Sequence, residues 1–247
     1  MLPALFLFLP LFVLGAIVGS FLNVVGLRYR SGLSLGGRSS CASCASELRW
    51  WELLPVASFF FLRGRCSRCK TPISLQYVSV EIFTGLVFAT LSYLYWPIFA
   101  LYIVIVIYDF RHKIIPDQLV YGAIFLSLLF RFYTGGGTID WLSGPVLFAL
   151  FGLGWLLSRG RALGFGDAKL ALSVGLLLGG AYGLSAIVLS FWIGTAVTLP
   201  LMLFGKIFSA KRITIKSEIP FAPFMVAGAW VSLVFHLDIL HVLSFFQ

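Results

Sequence analysis

Apolar segments dominate this chain of 247 residues and decide what it can fold into. Eight of them follow one another along the chain, most of them separated by short polar turns. A helix needs about 20 apolar residues to cross a bilayer, so the shorter segments must tilt, thin the bilayer or pack among neighbours. We predict an all-α polytopic membrane protein of about eight transmembrane helices, at residues 1–27, 78–95, 97–108, 118–132, 141–158, 165–183, 184–204 and 221–245.

The composition excludes a soluble globular domain. Hydrophobic residues make up 60% of the chain and charged residues 11%, whereas soluble domains have about 45–50% and about 25%. A cleaved signal peptide is the alternative for residues 1–27. No basic region precedes this apolar run and no small-residue cleavage site follows it, so we expect a retained helix.

Basic residues are distributed unevenly, and this asymmetry predicts the orientation of the chain. Residues 28–77 carry eight Lys and Arg against two Glu, which marks a cytosolic loop because positive residues collect on the cytosolic side. With both termini outside, all but one of the 18 Lys and Arg fall in cytosolic segments or, for Lys169, just inside the sixth helix. Only Arg131 lies near the outer face.

All four cysteines lie in this loop, as two Cys-x-x-Cys motifs separated by 21 residues. Thiolates at this spacing favour a closed, structural tetrahedral zinc site. Two disulfides are the alternative, and a reducing cytosol disfavours them. We therefore predict zinc ligands at Cys41, Cys44, Cys66 and Cys69.

Aromatic and aliphatic residues lie between the two motifs. We expect them to pack against the metal site, with contact to the membrane surface as the alternative. They are Trp50, Trp51, Leu53, Leu54 and residues 59–62.

Two aspartates stand at the edges of apolar segments. Asp167 follows Gly164 and Gly166 as the chain enters the sixth segment, and Asp109 closes the third. A carboxylate at the edge of the hydrocarbon is costly and indicates a functional site. The two glycines lack the Cβ atoms that would keep an extended peptide away. The predicted topology places both aspartates at the cytosolic face, where acid-type peptide hydrolysis could use the pair.

Other interpretations of the aspartates remain open at this stage. Asp167 alone could be a helix N-cap. A proton-coupled transporter also uses intramembrane carboxylates, but such proteins commonly show inverted repeats and midplane sites, and no repeat is visible. A zinc metallopeptidase lacks its His-Glu-x-x-His motif, since His112, His236 and His241 are scattered.

With these residues in place, the chain resembles the type IV prepilin peptidases, bacterial members of the Gly-x-Gly-Asp aspartic peptidases. The resemblance follows the family's order over most of the chain. It runs through residues 19–25, the paired cysteine motifs, Glu81, Asp109 with residues 115–119, residues 164–170 and residues 219–224.

The resemblance implies an enzyme of the bacterial inner membrane that cleaves the basic leader of prepilins or pseudopilins after a glycine, at the cytosolic face. Asp109 and Asp167 match the family's two catalytic aspartates, with Gly164 and Gly166 in the active-site loop. We give Asp117, which also matches a motif position, a turn or supporting role. Members with the cysteine loop commonly also methylate the new N-terminal amine with S-adenosylmethionine.

The expected organisation has three parts: a first helix at 1–27, a methylation-associated cysteine loop at 28–77 and a peptidase domain at 78–247. The loop departs from the family pattern at Ala42, Leu53, Gln76 and Val78, and none of these touches the aspartates. We expect prepilin substrates and anionic lipids as partners and no nucleic acid. The sequence assigns no oligomeric state and no residues to S-adenosylmethionine.

Overall fold

The computed structural model describes residues 2–32, 34, 36–161, 163–208 and 220–238. Several predicted features lie outside these residues: most of the cytosolic segment 205–220, the end of the eighth predicted helix, Ile219 and His241. Within the described ranges the chain is mainly helical and forms no β-strand, which confirms the all-α class. The helices α1 to α9 cover Leu2–Arg28, Ala57–Phe61, Leu75–Thr90, Trp96–His112, Asp117–Thr134, Thr138–Leu157, Phe165–Leu178, Gly180–Phe208 and Ala222–Val234.

Four stretches of the described chain are long and apolar enough to cross a membrane. They support a membrane protein, while the total of eight spans stays a prediction. Two shorter apolar helices, α3 and α9, are also present. The four candidate spans are Leu7–Arg28, Tyr93–His112, Thr138–Leu157 and Gly180–Met202.

The end of α4 differs from the predicted end of the third helix. The sequence pattern ended the helix at Tyr108, but α4 continues to His112. It stops where Lys113 adopts a positive φ of 54° and its N–H donates to the Asp109 carbonyl at 2.8 Å, as at many helix C-termini. Asp109 therefore lies inside the last turn of a helix.

The chain divides into two compact units, Met1–Ile107 and Tyr108–Gln247, with the boundary inside α4. In the first unit, α1 and α3 pack through small residues. A Cβ added to Gly15 would lie 2.6 Å from the Thr84 carbonyl oxygen, and one added to Gly19 would lie 2.7 Å from the Thr84 hydroxyl. Glycine lets the two helix backbones approach this closely.

The second unit is built around α7, which is buried along most of its length and packs against α5, α6, α8 and α9. Its C-terminal end is held by Arg131 of α5. This buried guanidinium donates to the carbonyls of Leu176 and Leu177 at 2.9 and 3.1 Å. The first turn of α7, which contains Asp167, is thus part of a firmly packed helix.

Candidate active site

Asp109 is a buried carboxylate in the last turn of α4, with 5% of its surface exposed. Its Oδ2 atom is buried without a hydrogen-bond partner among the described residues. The backbone N–H of Ala222, the first residue of α9, is within hydrogen-bonding reach of the same carboxyl group. A helix N-terminus favours negative charge at this place. The site therefore holds one carboxylate oxygen and leaves the other free.

Asp167 lies in the first turn of α7 and is half-buried. Its Oδ2 accepts the N–H of Gly164 at 3.1 Å, while its own N–H donates to the Gly164 carbonyl at 3.1 Å. Gly164 is therefore the N-cap residue, and Asp167 caps the helix from its third position by accepting the N–H of Gly164. Capping uses one of the two carboxylate oxygens, so it does not exclude chemistry at the other.

The structure brings the two aspartates together. The carboxylate of Asp167 lies close enough to Asp109 for their charges to interact. Both belong to the second unit, one in α4 and one in α7. Two neighbouring carboxylates are the arrangement that acid–base catalysis by a pair requires.

The two glycines of the active-site loop differ in what surrounds them. A Cβ on Gly164 would lie 3.2 Å from Asp167 Oδ2, and one on Gly166 would lie 2.8 Å from the Ile115 Cβ. Gly166 is therefore required by packing within this chain. A role in admitting a substrate backbone stays a prediction.

Asp117 and Lys169 form an ion pair beside the site. Lys169 Nζ lies 2.6 Å from Asp117 Oδ1 and over the rings of Tyr121 and Phe165, at 5.0 and 5.2 Å. The contact ties the start of α5 to the first turns of α7. This arrangement fits the supporting role that the sequence suggested for Asp117.

The four cysteines of the first unit are brought together as predicted. They are free thiols whose sulfur atoms all lie within 4.8 Å of one another. Cys41 Sγ and Cys69 Sγ are 3.8 Å apart, which matches the edge of about 3.8 Å that four sulfurs at about 2.3 Å from a zinc ion would form. The donor set and its spacing fit a Cys₄ metal site.

Two turns of the same design carry these cysteines. In each, the N–H of the first cysteine donates to the carbonyl of the hydroxyl residue five positions on, Ser46 or Thr71, at 2.9 Å. The Thr71 hydroxyl, followed by its backbone N–H, lowers the pKa of the Cys69 thiol to about 6. The Ser46 hydroxyl likewise lowers the pKa of the Cys44 thiol. Both contacts favour the thiolate form that binds metal.

We expected the aromatic residues between the two turns to pack against the metal site. This prediction is wrong for the most exposed of them. Trp50, Phe60 and Phe61 expose 74%, 67% and 82% of their surface. A loop of this size has too little interior to enclose both the sulfur cluster and these rings. Their exposure instead favours the membrane-surface alternative.

Comparisons with known proteins match two consecutive stretches of the chain. Residues 13–95 match the bacterial peptidase A24 N-terminal domain, and residues 96–199 match the type IV leader peptidase family. A prepilin leader peptidase/N-methyltransferase of Burkholderia pseudomallei strain K96243 is 30% identical, over 90% of this chain and 84% of the relative. The chain belongs to the type IV leader peptidase family.

Further relatives in the family carry the same name. The protein of Pseudomonas putida is 27% identical over 94% of this chain and 91% of its own length. That of Neisseria gonorrhoeae is 26% identical over 89% and 87%. No solved structure matches the chain.

Sequence reasoning missed two contributors to this leader peptidase site. One is the Ala222 N–H, whose only sequence signal was a helix start beside Pro223 in the motif at 219–224. The other is Ile115, a buried residue that packs against Gly166. Neither contributes a reactive side chain, so a search for catalytic residue types could not find them.

Proposed function

We propose that the protein is an aspartic endopeptidase of the bacterial inner membrane that cleaves the basic leader from type IV prepilins or pseudopilins, and that it also methylates the new N-terminus. The observation that supports cleavage most directly is that Asp167 lies near Asp109, whose Oδ2 atom is buried without a hydrogen-bond partner among the described residues. Family membership favours this function over the proton-coupled transporter.

In the proposed reaction, the aspartates share the work of acid and base. The ionised carboxylate takes a proton from water, whose oxygen attacks the carbonyl carbon of the substrate glycine, while the protonated carboxyl polarises the carbonyl oxygen. The tetrahedral intermediate collapses when the peptide nitrogen accepts a proton and the C–N bond breaks. The Gly164 and Ala222 N–H groups hold one oxygen of each carboxylate, which orients the pair.

The site is proposed to face the cytosol, with both termini outside and about eight spans. A basic leader gains nothing from a basic enzyme surface, so anionic lipids are the partner that attracts both. The exposed Trp50, Phe60 and Phe61, in a loop rich in Arg, suit an interface of apolar chains and anionic headgroups. Recognition would rest on the apolar stem of the pilin and on its glycine.

A structural zinc ion is proposed for Cys41, Cys44, Cys66 and Cys69. Purified protein should contain about one zinc per chain, and Cys41→Ser should release it and make the loop sensitive to protease, because metal binding is coupled to folding. The aspartates belong to the other unit, so leader cleavage should persist. A metal-free wild-type protein with an intact loop would remove zinc from this account.

S-adenosylmethionine would supply the methyl group when bound. The proposed function is tested with purified protein in detergent, a synthetic prepilin and labelled S-adenosylmethionine, following cleavage and label transfer separately. We expect leader release and label at the new N-terminus. Absence of cleavage would overturn the peptidase proposal, and cleavage without label would overturn methylation alone.

A further inference from the structure

We infer that Glu81 and Asn23 form a buried binding site for a small organic cation in the first unit, which serves the methylation half of the proposed function. The inference rests on that proposed activity. Both aspartates of the peptidase site belong to the second unit, and the peptidase mechanism uses neither Glu81 nor Asn23.

Glu81 is a buried carboxylate on α3, with 8% of its surface exposed. Its Oε2 accepts the N–H of Val56 at 2.7 Å, and the Ser20 hydroxyl of α1 also bonds to the carboxyl group. Among the described residues, no Lys, Arg or His forms an ion pair with it. A buried carboxylate without a cation costs several kcal/mol if it is ionised.

Asn23 adds a second buried acceptor to the same helix interface. Its side chain is fully buried, and its Nδ2 donates to the Tyr77 carbonyl of α3 at 3.3 Å. Its Oδ1 has no hydrogen-bond partner in the part of the chain that the structure describes. Tyr77 and Glu81 are one turn apart on α3, and Ser20 and Asn23 are nearly one turn apart on α1, so the acceptors occupy neighbouring positions of one interface.

The segment that covers Glu81 is strained. Val56 has φ 62° and ψ −53°, a conformation that β-branched residues rarely adopt. Such strain costs about 1–3 kcal/mol and collects at functional sites. The Val56 N–H donates to Glu81 Oε2, so the strained residue is bonded directly to the buried carboxylate.

Among the described residues, Asn23 Oδ1 lacks a donor and the buried Glu81 carboxyl group lacks a cationic partner. Together they specify the chemistry of the ligand: a cation that donates hydrogen bonds or carries a localised positive charge. Methylation of an amine brings two such groups into an enzyme. One is the α-ammonium group of the cleaved pilin, and the other is the methyl donor, which has a sulfonium and an ammonium group. The site takes one of these cations.

The test uses full-length protein in detergent and the isosteric variant Glu81→Gln, in which the amide oxygen can still accept the Val56 N–H. Binding is measured for two probes: S-adenosylmethionine, and a peptide with the N-terminal sequence of a mature pilin. An N-acetylated peptide, which lacks the ammonium group, distinguishes the sources. The matched control is Glu52→Gln, because Glu52 is a half-buried carboxylate of the cysteine loop that likewise accepts one backbone N–H, from Arg49 at 2.7 Å.

We expect Glu81→Gln to weaken binding of one probe by about tenfold or more, since a buried charge loses its partner, and to leave the other probe unchanged. Asn23→Leu should weaken the same probe, and leader cleavage should persist in both variants. If the peptide is the affected probe, acetylation should abolish the difference between wild type and Glu81→Gln.

Two results would count against the inference and separate it from the proposed function. Equal binding of both probes and wild-type methyl transfer by Glu81→Gln would show that Glu81 is a neutral structural group, which overturns the cation site alone. Wild-type protein that transfers no methyl group overturns methylation, while loss of peptide binding in Glu81→Gln would still support the cation site. Wild-type protein that binds neither probe overturns both.

Discussion

Two helices of the second unit begin with the same local arrangement, and only one of them leads to a candidate active site. α6 is preceded by Gly137 and has Asp140 in its first turn, and α7 is preceded by Gly164 and has Asp167 there. In each case the carboxylate accepts the glycine N–H at 3.1 Å. Locally, the two N-termini are equivalent caps.

The second carboxylate oxygen makes the difference. Asp140 Oδ1 accepts the N–H of Gly180 at 3.1 Å, so both of its oxygens are held by backbone groups. Among the described residues, the Asp167 carboxylate has a single hydrogen-bond partner and lies near Asp109. A capping aspartate is thus structural when backbone groups bind both oxygens, and available for chemistry when one oxygen is left and a second carboxylate lies near it.

The largest expected effect is the loss of leader cleavage when Asp109 or Asp167 is replaced. Asp109→Asn and Asp167→Asn should each lower leader cleavage by about 10²–10⁴-fold or more, since an amide cannot act as acid or base. Asn at position 167 can still accept the Gly164 N–H, so the fold should persist. The measurement is cleavage of a synthetic prepilin by protein of verified thermal stability.

Asp140→Asn is the matched control for this comparison. It should keep near wild-type cleavage and lose about 1–3 kcal/mol of stability, because the amide nitrogen would replace one acceptor of a backbone N–H. If Asp167→Asn cuts at the wild-type rate, or if Asp140→Asn is as inactive as the other two, the distinction between the caps is wrong.

The sequence predicted the helices and the cysteine cluster, but it left the role of Asp167 open. The lengths of the apolar segments predicted the helices, and the spacing of the cysteines predicted their cluster, because both are local patterns. The sequence could equally read Asp167 as a cap or as a functional group. Asp167 by itself does not decide between them, because the carboxylate that lies near it, Asp109, comes from a segment far along the chain.

The pattern of apolar residues also did not predict helix ends or close side-chain contacts. The apolar run ends at Tyr108, but α4 continues until a positive φ at Lys113 stops it. Gly166 resembled a loop residue that admits substrate, yet its nearest neighbour is Ile115. Hydrophobicity reports neither backbone conformation nor which side chain fills a given space.

The position before each capping aspartate offers the next test. It is Ile139 in α6 and Gly166 in α7. Gly166→Ala would place a Cβ 2.8 Å from the Ile115 Cβ, so the first turn of α7 must shift. A displacement of about 1 Å costs about 100-fold in a positioned site, and we expect a smaller shift to lower cleavage about tenfold.

Gly152→Ala in α6 is the control for this substitution, because a Cβ there meets open space. It should leave cleavage and stability unchanged. Wild-type cleavage by Gly166→Ala would show that the first turn of α7 tolerates displacement, and that its placement by Ile115 is unimportant for the site.

The far end of α7 should matter for stability and not for chemistry. Arg131→Gln removes the buried guanidinium that donates to Leu176 and Leu177, which leaves buried carbonyls unpaired at a cost of about 1–3 kcal/mol. Thermal unfolding in detergent should shift downward, while cleavage per folded molecule stays near wild type. A selective loss of cleavage at unchanged stability would contradict this separation.

We expect the smallest effect on cleavage from substitution of the two N-cap glycines. These substitutions change the same position in both helices, so they compare the two caps most directly. Gly137 and Gly164 both have negative φ angles, so alanine is not strained at either position, and as a poorer N-cap residue it should cost the same amount, about 1 kcal/mol, in both helices. A Cβ at residue 137 meets nothing within 4 Å, whereas one at residue 164 lies 3.2 Å from Asp167 Oδ2. Gly164→Ala should therefore push the carboxylate aside by a few tenths of an ångström and lower cleavage about two- to fivefold, while Gly137→Ala leaves cleavage unchanged. The measurement is the ratio of the two cleavage rates at matched stability; a ratio of one would mean that the exact place of the Asp167 carboxylate does not limit the reaction.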